Sequence, residues 1–196
     1  MAINSNLSFL KEYIRNNRDT GSLVQDSAAL VNALLKHAPF GSARLILEYG
    51  PASGAVTMEI IKRMDAKAVL ICVEKNRHFY RELVKNVSGK DVFLVHDDAF
   101  RWVQHSAGTC GIRGGDVDCI ISTLPCSSMD FEAFLRISVL PLLKEGGVFV
   151  QYMHTVSFFK GFRLRPILER HFAAVGSEFV LPNVPPTMVY TSSGVL

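Results

Sequence analysis

The sequence predicts an α/β fold: a mostly parallel seven-stranded sheet with an antiparallel last strand and helices on both faces. Three observations carry this expectation. Five apolar runs recur along the chain: RLILEY (44–49), AVLICVE (68–74), DVFLVH (91–96), DVDCIIS (116–122) and GVFVQYM (147–153). They are nearly continuous rather than alternating, the pattern of strands buried on both faces. Helical patterns separate them, and each is long enough to cross over between parallel neighbours. The end differs: strand-like 173–181 and 187–192 are separated only by Pro182-Asn183-Val184-Pro185-Pro186. That connection is too short for a crossover helix, so this pair is antiparallel.

The elements follow in order. Residues 4–17 read as a helix with Leu7, Leu10 and Ile14 on one face, broken at Asp19-Thr20-Gly21. A second helix spans 27–36, with Leu30, Ala33, Leu34 and His37 at helical spacing, and Pro39 and Gly41 stop it. Residues 1–43 therefore form a helical cover, and 44–196 one compact core domain. Within the core, helices are expected over 55–64, 77–86, 99–105 and 130–143. The stretch 106–115, SAGTCGIRGG, reads as a loop, and Glu145-Gly146-Gly147 ends the last of these helices.

Composition narrows the function classes. The 196 residues suit one domain, and 48% hydrophobic against 20% charged residues exclude a disordered chain. No apolar run approaches the roughly 18–20 residues a membrane span needs. The N-terminus lacks an apolar signal core, so the expected location is cytoplasmic. The four cysteines form no C-x-x-C pair and no metal-ligand spacing with histidine, so no metal site is expected. A net charge of +3 is too small for a strongly basic nucleic-acid grip. Its placement is more informative. The excess equals that of one stretch, 158–171, where Lys160, Arg163, Arg165 and Arg170 face a single acid, Glu169.

In open α/β sheets ligands sit at the carboxyl ends of the strands. The first strand ends in Glu48-Tyr49-Gly50-Pro51-Ala52-Ser53-Gly54. Its glycines let the backbone turn sharply and approach a ligand, but the spacing is not the dinucleotide fingerprint. Glu74 closes the second strand, twenty residues after Gly54, where a carboxylate can accept both hydroxyls of a ribose. Asp98, after the third strand, suits either the exocyclic amine of adenine or the cap of the next helix. Ser122-Thr123-Leu124-Pro125 closes the fourth.

Read together, LILEYGPASG, ICVEKNRHFYREL, VHDDAF, DCIISTLPCSSMD, LLKEGGVFVQYM and LPNVPPTMVYT resemble class I S-adenosylmethionine-dependent methyltransferases over about residues 44–196. They look like the bacterial phospholipid N-methyltransferase family, kin of the ribosomal RNA adenine dimethylases. The resemblance implies a Rossmann-like methyltransferase fold with S-adenosylmethionine as cofactor. It implies that Glu48, Gly50, Pro51 and Gly54 flank the methionine part, Glu74 the ribose and Asp98 the adenine. Ser122, Leu124 and Pro125 would form the floor beside the transferred methyl. The implied reaction is N-methylation of a phospholipid head group, phosphatidylethanolamine first among acceptors. Alternatives are an RNA-modifying enzyme of the adenine dimethylase type and a non-catalytic cofactor-binding protein.

The departures from the family pattern bear on those alternatives. Ala52 and Thr123 stand where that family usually or often has glycine. Ala52 suits a turn in which its φ is negative, and Thr123 narrows the acceptor pocket. Ser122 and Cys126 replace the asparagine and aromatic residue with which the dimethylases hold a base, so nucleic acid is not the expected partner.

An attacking amine must be neutral, whereas a free alkylammonium is mostly protonated near pH 7. Tyr152, His154 and Tyr13 are the candidates to accept its proton or to face the methylated cation, with Tyr190 a fourth. The segment 158–165, FFKGFRLR, suits an anionic membrane surface, with rings entering the interface and cations meeting phosphates. The leading helix, with Phe9, Lys11, Tyr13, Arg15 and Arg18, is placed to cover the cofactor.

Overall fold

The computed structural model describes residues 28–87, 89, 91–181, 183 and 185–196. The helix expected over 4–17, with Tyr13, lies outside the described residues, as does most of the cover expected over 1–43. Helix α1 (Ala28–Leu35) is followed by β1 (Leu45–Tyr49), α2 (Ala55–Arg63), β2 (Val69–Val73), α3 (Arg77–Asn86) and β3 (Val92–Val95). Then come α4 (Ala99–Trp102), α5 (Ser106–Cys110), β4 (Val117–Ser122), α6 (Phe131–Phe134) and β5 (Leu143–His154). Helices α7 (Val156–Phe159) and α8 (Leu164–Leu168) precede β6 (Phe172–Val180) and β7 (Thr187–Val195).

The seven strands form one sheet in the order β3-β2-β1-β4-β5-β7-β6. The first five are parallel, while β7 pairs antiparallel with both β5 and β6. The chain winds outward from β1 to β3, then returns to β4 beside β1. That reversal opens a crevice at the carboxyl ends of the two central strands.

Both faces of the sheet are covered, which is why the strands read as continuous apolar runs. Ile46, Leu70, Cys72, Cys119, Ile121 and Val150 pack on one face with Leu30 and Leu34 of α1, Ile60 of α2 and Leu83 of α3. Leu47, Tyr49, Ile71, Ile120 and Phe149 point the other way, against Trp102, Phe131, Phe134, Leu164 and Leu168. Tyr49 is fully buried and its hydroxyl donates to the Ser138 carbonyl at 2.7 Å. That bond satisfies a buried polar group and ties β1 to the segment after α6.

Three expectations need correction. The stretch 106–115 is not all loop, because Ser106–Cys110 form one short helix, begun where the Ser106 hydroxyl donates to the Val103 carbonyl. The helix expected over 130–143 is α-helical only over Phe131–Phe134. It widens to a π-helix over Leu135–Val139, and Pro141 then supplies no N–H to continue it. Strand β5 starts at Leu143, not 147. Leu143 pairs with Val117, and the register shifts before Cys119 pairs with Val148. Gly146, at φ 73°, lies within that irregularity.

Candidate active site

A cleft of about 700 Å³ opens at the carboxyl ends of the central strands. Gly50, Pro51, Glu74, Asp98, Leu124, Pro125, Tyr152 and His154 all line it. Glu48, Gly54 and Ser122 do not.

The turn after β1 is built on left-handed backbone. Gly50 has φ 76°, Ala52 φ 49° and Gly54 φ 96°. The expectation of a negative φ at Ala52 is therefore overturned. An alanine there costs roughly 1–2 kcal/mol over a relaxed conformation. The strain is held from across the crevice, where the Ala52 N–H donates to Glu74 Oε2 at 3.0 Å. A side chain at Gly50 would bring its Cβ to 2.8 Å from Leu124 Cδ2, and one at Gly54 to 2.9 Å from Leu83 Cδ1. Gly54 thus serves helix packing behind the turn.

Glu48 is fully buried below the turn, where Oε2 accepts from the Thr57 hydroxyl at 2.7 Å and from Cys72 Sγ at 3.4 Å. Burial, together with that carboxylate, pushes the Cys72 thiol well above its usual pKa, so it stays protonated. Glu74 is 7% exposed and its Oε1 accepts the Asn76 N–H at 2.6 Å. Burial raises its pKa despite the backbone donors of Asn76, Ala52 and Lys75. A carboxylate oxygen can accept more than one hydrogen bond, and Glu74 lines the cleft.

Asp98 has both expected features of a helix cap. It precedes α4, and its Oδ1 accepts the Phe100 N–H at 2.9 Å. Its Oδ2 pairs with Lys75 Nζ at 2.9 Å. Burial alone would raise this carboxyl, but Lys75 and the capping N–H outweigh it and hold it below the ordinary value. The neighbouring Asp97 pairs with His105 at 2.7 Å.

The opposite wall comes from the ends of β4 and β5. The Thr123 hydroxyl donates to the Gly50 carbonyl at 2.5 Å, stapling the two turns together. Ser122 is fully buried, and its Oγ accepts the Leu124 N–H at 3.4 Å. Sequence reasoning missed Gln151, whose buried amide donates to the Leu124 carbonyl at 3.0 Å and the Tyr152 carbonyl at 2.7 Å. The signal was a lone amide in an apolar strand, which needs partners when buried. Tyr152 meets the His154 ring edge-on at 5.0 Å between centroids. His154 Nδ1 lies 2.9 Å from the Thr187 hydroxyl. Burial lowers the His154 pKa to about 4, so it is neutral at physiological pH. Tyr190 is buried in the core and does not line the cleft.

The aromatic-cationic segment after β5 divides. Phe158 and Phe162 pack against the core, while Phe159 stands 90% exposed. Arg163 lies over the Phe158 ring at 5.2 Å and donates to the Phe158 and Phe162 carbonyls. Arg165 pairs with Glu169 and bonds the Val175 carbonyl and Ser177. Arg170 pairs with Glu132. Lys160 instead lines the cleft. Among the described residues no metal-ligating cluster is found, and no helix is long and apolar enough to cross a membrane.

Comparison with known proteins agrees with this architecture. No family model matches the chain. An ornithine lipid N-methyltransferase of Singulisphaera acidiphila is 25% identical over 189 residues, 95% of each chain. The O-methyltransferase TomG of Streptomyces achromogenes, solved with SAM, superposes with a TM-score of 0.70 at 14% identity, covering 94% of this chain and 86% of that one. A precorrin-6y C5,15-methyltransferase of Geobacter metallireducens gives 0.66 at 15% identity, over 91% and 95%. A spermidine synthase gives 0.68 at 15%, over 87% and 62%. The fold is thus the Rossmann-like methyltransferase fold, and the spermidine synthase shows that the fold alone does not fix the reaction.

Proposed function

We propose that the protein is an S-adenosylmethionine-dependent N-methyltransferase acting on the amine of a lipid head group. The observation that carries this reading is the cleft itself. It brings a left-handed glycine turn, a buried carboxylate at the end of β2 and a capping aspartate after β3 to one crevice. The relative named for ornithine lipid supports a lipid acceptor, and phosphatidylethanolamine is the other acceptor to test.

The residues fit the cofactor. Glu74 has lone pairs for both ribose hydroxyls. Asp98 can take the adenine amine if Lys75 gives up its place. Gly50 and Pro51 border the methionine part, with Glu48 and Gly54 shaping the turn from behind. Leu124 and Pro125 form the floor, which Ser122 supports from below. When bound, the cofactor supplies a methyl group activated on a sulfonium.

The chain's own part is orientation and desolvation. A histidine with a pKa of about 4 is too weak a base to draw a proton from an alkylammonium. His154 therefore serves with Tyr152 as an aromatic wall that favours the neutral amine before transfer and faces the methylated cation after it. The exposed Phe159 beside Lys160 would touch the bilayer, giving a peripheral location on the cytoplasmic membrane face.

Labelled S-adenosylmethionine offered with lipid vesicles and RNA in parallel tests the reading. Label is expected in amine-bearing lipid. Label in RNA alone, or in neither fraction, overturns it.

A further inference from the structure

The two walls of the cleft differ in charge. The wall at β2 and β3 carries the carboxylates Glu74, Asp97 and Asp98 together with the cations Lys75 and Arg77, and Lys75 is paired with Asp98. The wall from β4, β5 and α7 carries no carboxylate among the described residues that line it, and its formal charge is Lys160. The other cations of the same segment are engaged elsewhere: Arg163 on carbonyls, Arg165 on Glu169 and Arg170 on Glu132. No ion pair holds Lys160 among the described residues.

The surroundings of Lys160 are built rather than loose. Its N–H donates to the Ser157 carbonyl at 3.2 Å, and the turn closes through Gly161 at φ 81°. Ser157 is 5% exposed, and its hydroxyl donates to Ser127 Oγ at 2.9 Å. Ser127 therefore accepts one hydrogen bond and keeps its own O–H to donate. Both serines line the cleft with Lys160.

We infer that Lys160 and Ser127 form an anion subsite for the phosphate or carboxylate that lies beside the methylated amine, so that the acceptor is zwitterionic. This rests on the reading that the acceptor is a lipid amine. An ammonium and a hydroxyl suit either anion as charge-assisted donors. The same arrangement serves the chemistry. A wall without carboxylates gives the acceptor's own ammonium no counter-charge, and Lys160 repels it. Both effects favour the neutral amine that attacks. A head group with its anion next to the amine is therefore held by one end, while the ammonium at the other end releases its proton to bulk water before the nitrogen attacks.

The test compares acceptors within the same phosphatidylcholine vesicles: phosphatidylethanolamine, a lipid with an ornithine head group, and a long-chain alkylamine that has no anion. The readout is the ratio of kcat/KM for each zwitterionic lipid over the alkylamine. Loss of membrane contact lowers all acceptors together and leaves the ratio unchanged. In Lys160→Gln the ratio is expected to fall by about tenfold or more. Lys160→Arg should restore most of it, and Ser127→Ala should give a smaller fall. Cofactor affinity, measured by calorimetry, confirms that each variant is folded. A larger fall for phosphatidylethanolamine assigns the subsite to phosphate, and a larger fall for the ornithine lipid assigns it to carboxylate. An unchanged ratio in Lys160→Gln, with the wild type active on lipid, overturns the subsite alone. A wild-type protein that binds cofactor but methylates no lipid amine overturns the lipid reading and the subsite with it.

Discussion

The two walls of the cleft are made in different ways. At the ends of β2 and β3, Glu74 and Asp98 are fixed by backbone N–H groups two residues further on, Asn76 and Phe100. Each carboxylate is thus anchored by its own stretch of chain, although Glu74 also accepts the Ala52 N–H and Asp98 pairs with Lys75. The facing wall is assembled from segments far apart in sequence. Gln151 reaches Leu124 across 27 residues, Ser157 reaches Ser127 across 30, and His154 meets Thr187 across 33. The first wall carries charge and the second is nearly free of it. Such a division lets the second wall change by distant substitutions while the first keeps its geometry.

Four substitutions bear on that contrast. Gly50 lies where the walls meet, so it should show the largest effect. Gly50→Val places a β-branched side chain at φ 76°, with its Cβ 2.8 Å from Leu124 Cδ2. Relief of that contact displaces the turn from the position that borders the ligand, and binding of S-adenosylmethionine by calorimetry is expected to weaken by about hundredfold. Unchanged affinity would break the claim that this turn borders the ligand.

Glu74→Ala removes the acceptor for two backbone donors and the proposed ribose contact. Affinity for S-adenosylmethionine is expected to fall by about tenfold to hundredfold. An equal fall in Lys160→Gln would erase the distinction between the walls.

His154 sharpens the contrast through pH. Its folded pKa is lowered from 6.5 to about 4 by burial. Between those values the unfolded chain binds more protons than the folded one, so stability falls as pH drops through that window. Urea unfolding at pH 7 and pH 4.5 should show this dependence, and His154→Gln should flatten it. A pH slope unaltered by the substitution would mean that the ring is not kept neutral by the fold.

Ala52→Gly should have the smallest effect. It relieves a left-handed alanine and is expected to add about 1 kcal/mol, or a few degrees in Tm, less the entropy glycine loses on folding. Cofactor affinity should stay within twofold by calorimetry.

Much of the fold was legible in the sequence because buried parallel strands leave a plain trace. The run LILEY is apolar on both faces apart from Glu48, since β1 has a packed layer on each side. Strand ends then marked the cleft, and Gly50, Glu74, Asp98 and Leu124 do meet there. What escaped depends on information that is not local. The sign of φ at Ala52 follows from a bond to Glu74, 22 residues away. The start of β5 follows from pairing with β4. The fate of the cations after β5 depends on which carbonyls and carboxylates the fold brings near. From sequence, Lys160, Arg163 and Arg165 are alike, whereas in the structure only Lys160 lines the cleft.

The position of β7 has a consequence for synthesis. It is the last strand in chain order, yet it lies between β5 and β6 and pairs with both. A nascent chain that has made β6 has two open strand edges and nothing to join them. Thr187, which holds His154, arrives only with β7. The wall from β4 and β5 is therefore completed after translation of residues 187–195, and until then β5 and β6 are edges open to pairing with another chain.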